Sequence, residues 1–299
     1  MNENTERNKQ LFLLGMILSM VCWGFSWTAG KIMGEYGNPL TNSFFRFAVT
    51  FLSLFFILLF INTSFKLNSK GMFDLIMSSL LMSIYTYLFF KGLSTGKAGA
   101  GGVLVTVLNP IVSYGIMLIM TRRKPTRNES IGLLLGLIAG VILLKLVTEA
   151  DKVFTAGNIY FLLAAFCWAI LSVFTSRASR YGSPVTFSFY LYGICALLMF
   201  ISAGMEGIKA TFVKADFVFW GNLFFSATIT TSLATTLYFV ATSRLGASKA
   251  SSFIFLVPFS AALGSWIFLD EIPQLHTITG GLLGIGAVYV LNRKELIKN

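Results

Sequence analysis

The sequence predicts an all-α membrane protein: ten transmembrane helices arranged as two inverted five-helix repeats. Composition is the first ground. The chain is 56% hydrophobic and 12% charged, with 30 phenylalanines in 299 residues and a mean hydropathy of +0.77. A water-facing surface of this size needs more charge, and apolar runs of about 20 residues, enough to cross hydrocarbon as a helix, recur along the chain. The second ground is internal repetition. Residues 246–292 lie without gaps on residues 98–144, pairing Pro258 with Pro110, Pro273 with Pro125, Gly280 with Gly132 and Gly284 with Gly136. Apolar composition alone matches leucines, but not prolines and glycines in register. The third ground is the placement of Lys and Arg, taken up below.

Span one, 11–33, follows the polar segment MNENTERNKQ. Arg7 and Lys9 ahead of an apolar run look like a signal peptide, but the run exceeds a signal core of about 7–15 residues and more spans follow, so it reads as a retained helix. Span two, 39–61, opens at Pro39, one of the Gly, Pro and charged residues that bound the apolar runs. Spans three, 72–92, and four, 98–121, are parted only by Ser94, Thr95, Gly96 and Lys97. Were that break absent, the orientation of everything downstream would reverse. Span five, 130–147, carries the small-residue ridge Gly132, Gly136 and Gly140, suited to close helix packing. A polar connection, 148–155, leads to spans six, 156–178, seven, 184–204, eight, 217–243, nine, 248–269, and ten, 275–292. The halves are residues 1–150 and 151–299.

With the N-terminus inside, fifteen of the 23 Lys and Arg fall in inner segments and seven in outer ones, with Arg46 inside span two. That bias supports ten spans with both termini cytoplasmic. The first halves of the repeats also match at an offset of 145: Cys22-Trp23 on Cys167-Trp168, and Tyr36-Gly37-Asn38-Pro39-Leu40-Thr41 on Tyr181-Gly182-Ser183-Pro184-Val185-Thr186. The change of offset places three extra residues in the loop 204–216. Five spans per repeat is an odd number, so the copies run oppositely through the bilayer. Glu35 accordingly matches Arg180, and Arg123 matches Glu271, with charge sign reversed.

The net charge of +11 sits in short loops, which fits membrane orientation rather than nucleic acid. Cys22, Cys167 and Cys195 fall inside spans without metal-ligand spacing and read as small apolar fillers. One histidine, no His/Cys/Asp cluster, no G-x-S-x-G and no paired carboxylates within a span argue against an enzyme. No cofactor or metal is implied. The expected partners are a small-molecule substrate and the lipid bilayer; a homo-oligomer stays open.

The run Gly246-Ala247-Ser248-Lys249-Ala250, then Pro258, Leu269-Asp270-Glu271, Gly280 and Gly284, with Trp23-Gly24, Pro39 and Arg46-Phe47 in the first copy, resembles the EamA-like branch of the drug/metabolite transporter superfamily over nearly the whole chain. One departure is Arg122-Arg123 where the family has a Glu after span four. The resemblance implies secondary transport of small organic metabolites, often export across the plasma membrane. It also implies that spans one, three, four, six, eight and nine surround a cavity while five and ten are peripheral.

Candidate substrate residues carry paired readings. Arg46, the charged residue well inside a span, either attracts an anionic group or controls gating, or it pairs structurally with helix ends, Glu35 or Glu271. Trp23 and Trp27 share a helix face, and Trp168 repeats Trp23; they are walls for a planar or cationic solute or packing and interface anchors. Tyr85 in span three, Ser232 and Tyr238 in the hydroxyl-rich span eight, Asn109 beside Pro110, and Phe255 near Pro258 complete the set; the span-eight hydroxyls alternatively bond their own helix. Gly99, Gly101 and Gly102 read as a gate or as close packing. Glu271 and His276 read as a proton relay or as solvated loop residues. The competing function is export of lipophilic cations, or lipid handling on the same fold, which would favour an acid inside a span.

Overall fold

The computed structural model describes residues 3–122, 124–147, 157–238 and 253–297, which are helical with no strand among them. The connection 148–155, the run 246–250 and Arg123 lie outside the described residues. Among the described residues six helices are long and apolar enough to cross a membrane, and Leu256–Leu269 and Leu275–Val290 are shorter apolar helices.

Helix α1 (Glu3–Met33) ends at Gly34, and α2 (Pro39–Phe60) starts on Asn38, whose Oδ1 accepts from the Leu40 and Thr41 amides with Pro39 at the first turn. A 3-10 turn, Ser69–Gly71, leads into α3 (Met72–Thr95). The short break of Gly96 and Lys97 is real, and α4 (Ala98–Thr121) follows. Helix α5 (Arg127–Leu143) begins with Glu129 Oε2 accepting from the Thr126 amide at 2.6 Å. Helices α6 (Asn158–Thr175) and α7 (Pro184–Lys214) come next. The expected end of span seven at Gly204 is a break, with φ 70° and ψ 154° there, after which the chain resumes helix to Lys214 instead of forming a loop. Only glycine takes that backbone geometry readily.

Helix α8 (Phe217–Phe224), capped by Asp216, widens into a π-helix over Phe225–Ala234. The hydroxyls there follow the wider turn: Thr231 donates to the Ser226 carbonyl at 2.7 Å and Ser232 to the Ala227 carbonyl at 3.0 Å, each five residues back. A 3-10 turn (Phe253–Phe255) precedes α9 (Leu256–Leu269), and α10 (Leu275–Ile297) closes the described chain.

Packing pairs α2 with α7, α3 with α6, α1 with α9 and α5 with α10; α4 lies against α6 and α9, and α8 against α1 and α2. Glycines permit the closest crossings. A Cβ on Gly24 would meet Ser260 and, at 2.6 Å, the Ala261 backbone nitrogen; Gly102 faces Ala261 and Trp27, and Gly99 faces Ser265. The cluster expected as gate or packing is therefore packed here. Gly136 meets Ile111, Gly280 meets Leu143 and Gly284 meets Val107, as small-residue ridges do. The outer surface is apolar, with Phe60 87%, Ile119 78% and Phe259 69% exposed. Such a continuous apolar exterior suits lipid, not water.

Each copy of the Tyr-Gly-x-Pro-x-Thr motif docks on the opposite half of the chain. The Tyr36 hydroxyl donates to Asp216 Oδ1 at 2.8 Å, and Thr211 Oγ1 donates to Thr41 Oγ1 at 3.1 Å. In the second copy the Tyr181 hydroxyl donates to Asp74 Oδ2 at 2.6 Å, and Thr186 Oγ1 to the Ser64 carbonyl at 2.8 Å. Arg177 Nη1 adds an ion pair to Asp74 at 3.3 Å.

Candidate functional site

Arg46 lies in the eighth position of α2, about 10 Å in from its start at the usual helical rise. Its Nη2 donates to Thr231 Oγ1 in the π segment at 3.3 Å, and its guanidinium carbon lies 5.2 Å from the Phe89 ring centroid. Tyr85 of α3 and Tyr192 of α7 are close enough to feel its charge. Tyr85 packs edge-on to Trp168 of α6, with centroids 4.7 Å apart. Four helices besides α2 thus supply this neighbourhood: α3, α6, α7 and α8.

The guanidinium is half-buried and has no carboxylate partner among the described residues. The expected structural pairing with Glu35 or Glu271 is not formed; Glu271 Oε2 instead accepts from the Gly99 amide at 3.1 Å. A cation within a span costs about 2.5–3.5 kcal/mol on insertion scales. A ring-face contact returns roughly 0.5–2 kcal/mol and a hydrogen bond from a charged donor about 1.5–3 kcal/mol, so the Phe89 face and the Thr231 hydroxyl hold the cation without any carboxylate.

The adjacent residue of the π segment receives α1. Trp23 Nε1 donates to the Thr230 carbonyl at 3.0 Å, and the Trp23 and Tyr238 rings are 5.5 Å apart. Neighbouring residues Thr230 and Thr231 therefore bring Trp23 and Arg46 together on α8. Polar contacts between α2 and α8 continue along the interface, where Ser53 Oγ and Thr228 Oγ1 share a hydrogen bond of 2.8 Å.

The other expected residues divide. Trp27 is 4% exposed, wedged between Phe89 and Phe161 at 4.7 and 5.8 Å. Through Phe89 it backs the Arg46 neighbourhood from behind. Asn109, half-buried in α4, accepts from Ser113 Oγ at 3.0 Å, and Ser232 is fully buried, its hydroxyl donating to the Ala227 carbonyl of its own segment at 3.0 Å and reaching the Thr50 carbonyl of α2 at 3.5 Å. The side chain of Phe255 lies outside the described residues. Sequence reasoning missed Phe89 and Tyr192, and grouped Thr231 with a run of hydroxyls. A signal existed for Tyr192, which follows Leu191, the repeat counterpart of Arg46.

A cavity of about 480 Å³ lies elsewhere, at the end of the bundle where α1 and α3 finish and α4, α6 and α10 start; Lys31, Lys97, Lys145, Asn158, Glu271 and His276 line it. Two of its charges are committed to backbone groups. Lys31 Nζ donates to the Leu93 and Gly96 carbonyls at 2.6 and 2.8 Å, and Glu271 holds the Gly99 amide. The cavity thus has two of its rim charges bonded to backbone, whereas the cation inside a span, Arg46, meets a neutral hydroxyl and a ring face. Outside the spans, the Phe219 amide and then the Tyr36 hydroxyl hold the Asp216 carboxyl below its ordinary value, and the carboxylates of Asp216 and Asp74 push the Tyr36 and Tyr181 hydroxyls up. The three cysteines are free thiols, and no group of three metal-ligating side chains occurs among the described residues.

The sequence model of the EamA-like transporter family matches twice, over residues 10–145 and again over residues 155–293. The uncharacterized transporter YoaV of Bacillus subtilis is 26% identical over 275 residues, 91% of this chain and 93% of that protein. A second transporter of that organism, YyaM, is 22% identical over 287 residues, 94% of this chain and 92% of its own. A chloroplastic WAT1-related protein of Arabidopsis thaliana is 24% identical over 221 residues, 69% of this chain and 51% of that protein. A crystal structure with 15% identity shares the fold, with a TM-score of 0.59 covering 94% of this chain and 97% of the other.

Proposed function

Because this chain belongs to the EamA-like transporter family and is a multi-pass membrane transporter, we propose that it exports small organic metabolites, amino acids, amines or related solutes, across the plasma membrane by alternating access. In this reading residues 1–150 and 151–299 are inverted five-helix repeats, ten spans in all, with both termini cytoplasmic. The double family match supports the duplication. The packing supports the two-fold relation: exchanging each helix for the one five places along turns the α3–α6 pair into α8–α1 and the α4–α6 pair into α9–α1, and maps α2–α7 and α5–α10 onto themselves, all of which occur. The reciprocal Tyr36–Asp216 and Tyr181–Asp74 contacts support it again. The excess of Lys and Arg in alternate loops supports the orientation.

The observation that carries the function is the Arg46 neighbourhood, where both halves of the chain supply aromatic rings and hydroxyls around one charge. Inverted repeats characteristically hold solute at their interface, and rocking of one repeat against the other exposes it to each side in turn. Arg46, Tyr85, Trp168, Trp23 and Tyr238 would contact solute, with Trp27 behind them. Asn109, Ser232 and Phe255 would join in a state that turns them inward. Purified protein in sealed vesicles, given a broad metabolite panel under imposed proton, sodium and solute gradients, should move at least one class of solute. Movement of none under any gradient overturns the reading. Export of lipophilic cations is disfavoured by a guanidinium, with no acid beside it, at this position.

A further inference from the structure

We propose that the solute carries an anionic group, a carboxylate, that docks on the Arg46 guanidinium, with its apolar portion against the rings of Tyr85, Phe89 and Trp168. This rests on the transport reading and narrows its substrate class. A guanidinium presents five N–H donors in a planar fork matched to a carboxylate. Here one of them is used, in a 3.3 Å bond to a neutral hydroxyl. Phe89 offers its face to the cation but no lone pair, and Tyr85, packed on Trp168, and Tyr192, packed on Phe47 beside Arg46, bring aromatic rings and no counter-charge.

No carboxylate of the described chain forms an ion pair with Arg46, and three of the acids are held elsewhere. Asp74 is engaged with Tyr181 and Arg177, Asp216 with Tyr36 and the Phe219 amide, and Glu271 with the Gly99 amide, all at helix starts or loops. A half-buried cation without an internal partner is matched by whatever anion reaches it. The rings decide what is attached to that anion. Tyr85 and Trp168, edge-on at 4.7 Å, form a corner rather than a flat wall, and Phe89, backed by buried Trp27, closes one side. A primary amine with the same tail would meet the guanidinium as a like charge. Within the proposed range of metabolites, carboxylates and zwitterions are therefore favoured over simple amines.

The test uses the full chain in phosphatidylcholine nanodiscs and three solutes that share one ring and differ in charge: 3-phenylpropanoate, phenylalanine and phenethylamine. Binding is read by thermal shift and by titration calorimetry. Tenfold or tighter binding of phenylpropanoate or phenylalanine over phenethylamine is expected, with at least a tenfold loss for the acid in Arg46→Gln, partial recovery in Arg46→Lys and no change for the amine. Equal binding of all three, tighter binding of the amine, binding of none, or an equal loss for all three in Arg46→Gln overturns the proposal. Should Arg46→Gln fail to fold, Arg46→Lys decides: a weakening confined to the two acids supports the proposal, and an unchanged profile overturns it. Replacing phosphatidylcholine by phosphatidylglycerol tests a lipid phosphate as the anion; abolition of solute binding there assigns the site to headgroups and overturns the solute class. Vesicle flux separates this from the transport reading. Flux of amines that survives Arg46→Gln sinks the class and leaves the transporter; Arg46-dependent acid binding without any flux does the reverse.

Discussion

Replacing Lys31 by methionine removes a charge while keeping nearly the same chain length, and it tests whether that charge sets the turn between α3 and α4. Lys31 Nζ donates to the Leu93 and Gly96 carbonyls at 2.6 and 2.8 Å. Each is a hydrogen bond from a charged donor, worth about 1.5–3 kcal/mol, and a cation at a helix C-terminus adds roughly 0.3–1 kcal/mol. The sum is an upper bound. Lys31 is half-buried and lines a cavity of about 480 Å³, so water can reach the freed carbonyls and replace much of what is lost. A net cost of about 1–3 kcal/mol remains, which for a chain of this size lowers the melting temperature by roughly 2–5 °C. Thermal unfolding of the purified chain in detergent, monitored by intrinsic fluorescence, measures it. Lys97→Met is the control, because Lys97 lines the same cavity but is exposed; its change should stay within about 0.5 kcal/mol. Equal melting of the two variants would show that cavity charge, not capping of α3, is what matters.

Other substitutions probe different contacts. Gly24→Ala should cost about 1–3 kcal/mol through overpacking, since the new Cβ would sit 2.6 Å from the Ala261 backbone, whereas Gly115→Ala, with nothing within 4 Å, should be neutral or gain up to about 1 kcal/mol; melts that fail to separate them refute the α1–α9 crossing. Trp27→Ala should cost about 3–5 kcal/mol because its ring is 4% exposed between Phe89 and Phe161, and half-buried Trp168→Ala should cost less; the reverse order in chemical denaturation contradicts the assigned packing. The Asp216 carboxyl lies below its ordinary value of 3.8, so its contribution is complete above that pH and disappears as pH falls through the lowered value. Amide exchange at Phe219, corrected for intrinsic rates, should therefore be equally protected at pH 7 and pH 5 and lose protection only in stronger acid. Protection lost already at pH 5 would be inconsistent with the Phe219–Asp216 hydrogen bond.

Much of the architecture was legible because its signals are local. Pro39 and Pro184 mark span starts because a proline fits the first turn of a helix and needs no tertiary context, and α2 and α7 begin there. The glycine ridges were readable from spacing because small residues at helical intervals have few uses in lipid. Long-range choices were not legible. The π segment depends on hydroxyls reaching five residues back, which a run of Ser and Thr permits but does not dictate. The break at Gly204 was read as an end because hydropathy falls there; the chain instead resumes helix. Within the site, Trp23, Arg46, Tyr85, Trp168 and Tyr238 fall in contacts around the π segment or Arg46, while Asn109 turns to a partner in its own helix and Ser232 divides between its own segment and α2. Amphipathic spacing cannot separate a hydroxyl facing a neighbour from one facing its own backbone. Phe89 and Tyr192 were passed over because an aromatic in an apolar span carries no mark of its neighbour across the bundle.

The reciprocal tyrosine contacts also bear on how the chain is made. Tyr36 and Asp74 are synthesised early, yet their partners are Asp216 and Tyr181. The first part of the chain is therefore made with Tyr36 and Asp74 both unmatched, and Asp74, only 3% exposed in the finished protein, has its partners Tyr181 and Arg177 still to come. Each half supplies what the other half's loops require. The two contacts thus close on each other, and a chain that stops before residue 177 leaves the Asp74 carboxylate at the start of α3 without the tyrosine and arginine that cover it in the finished protein.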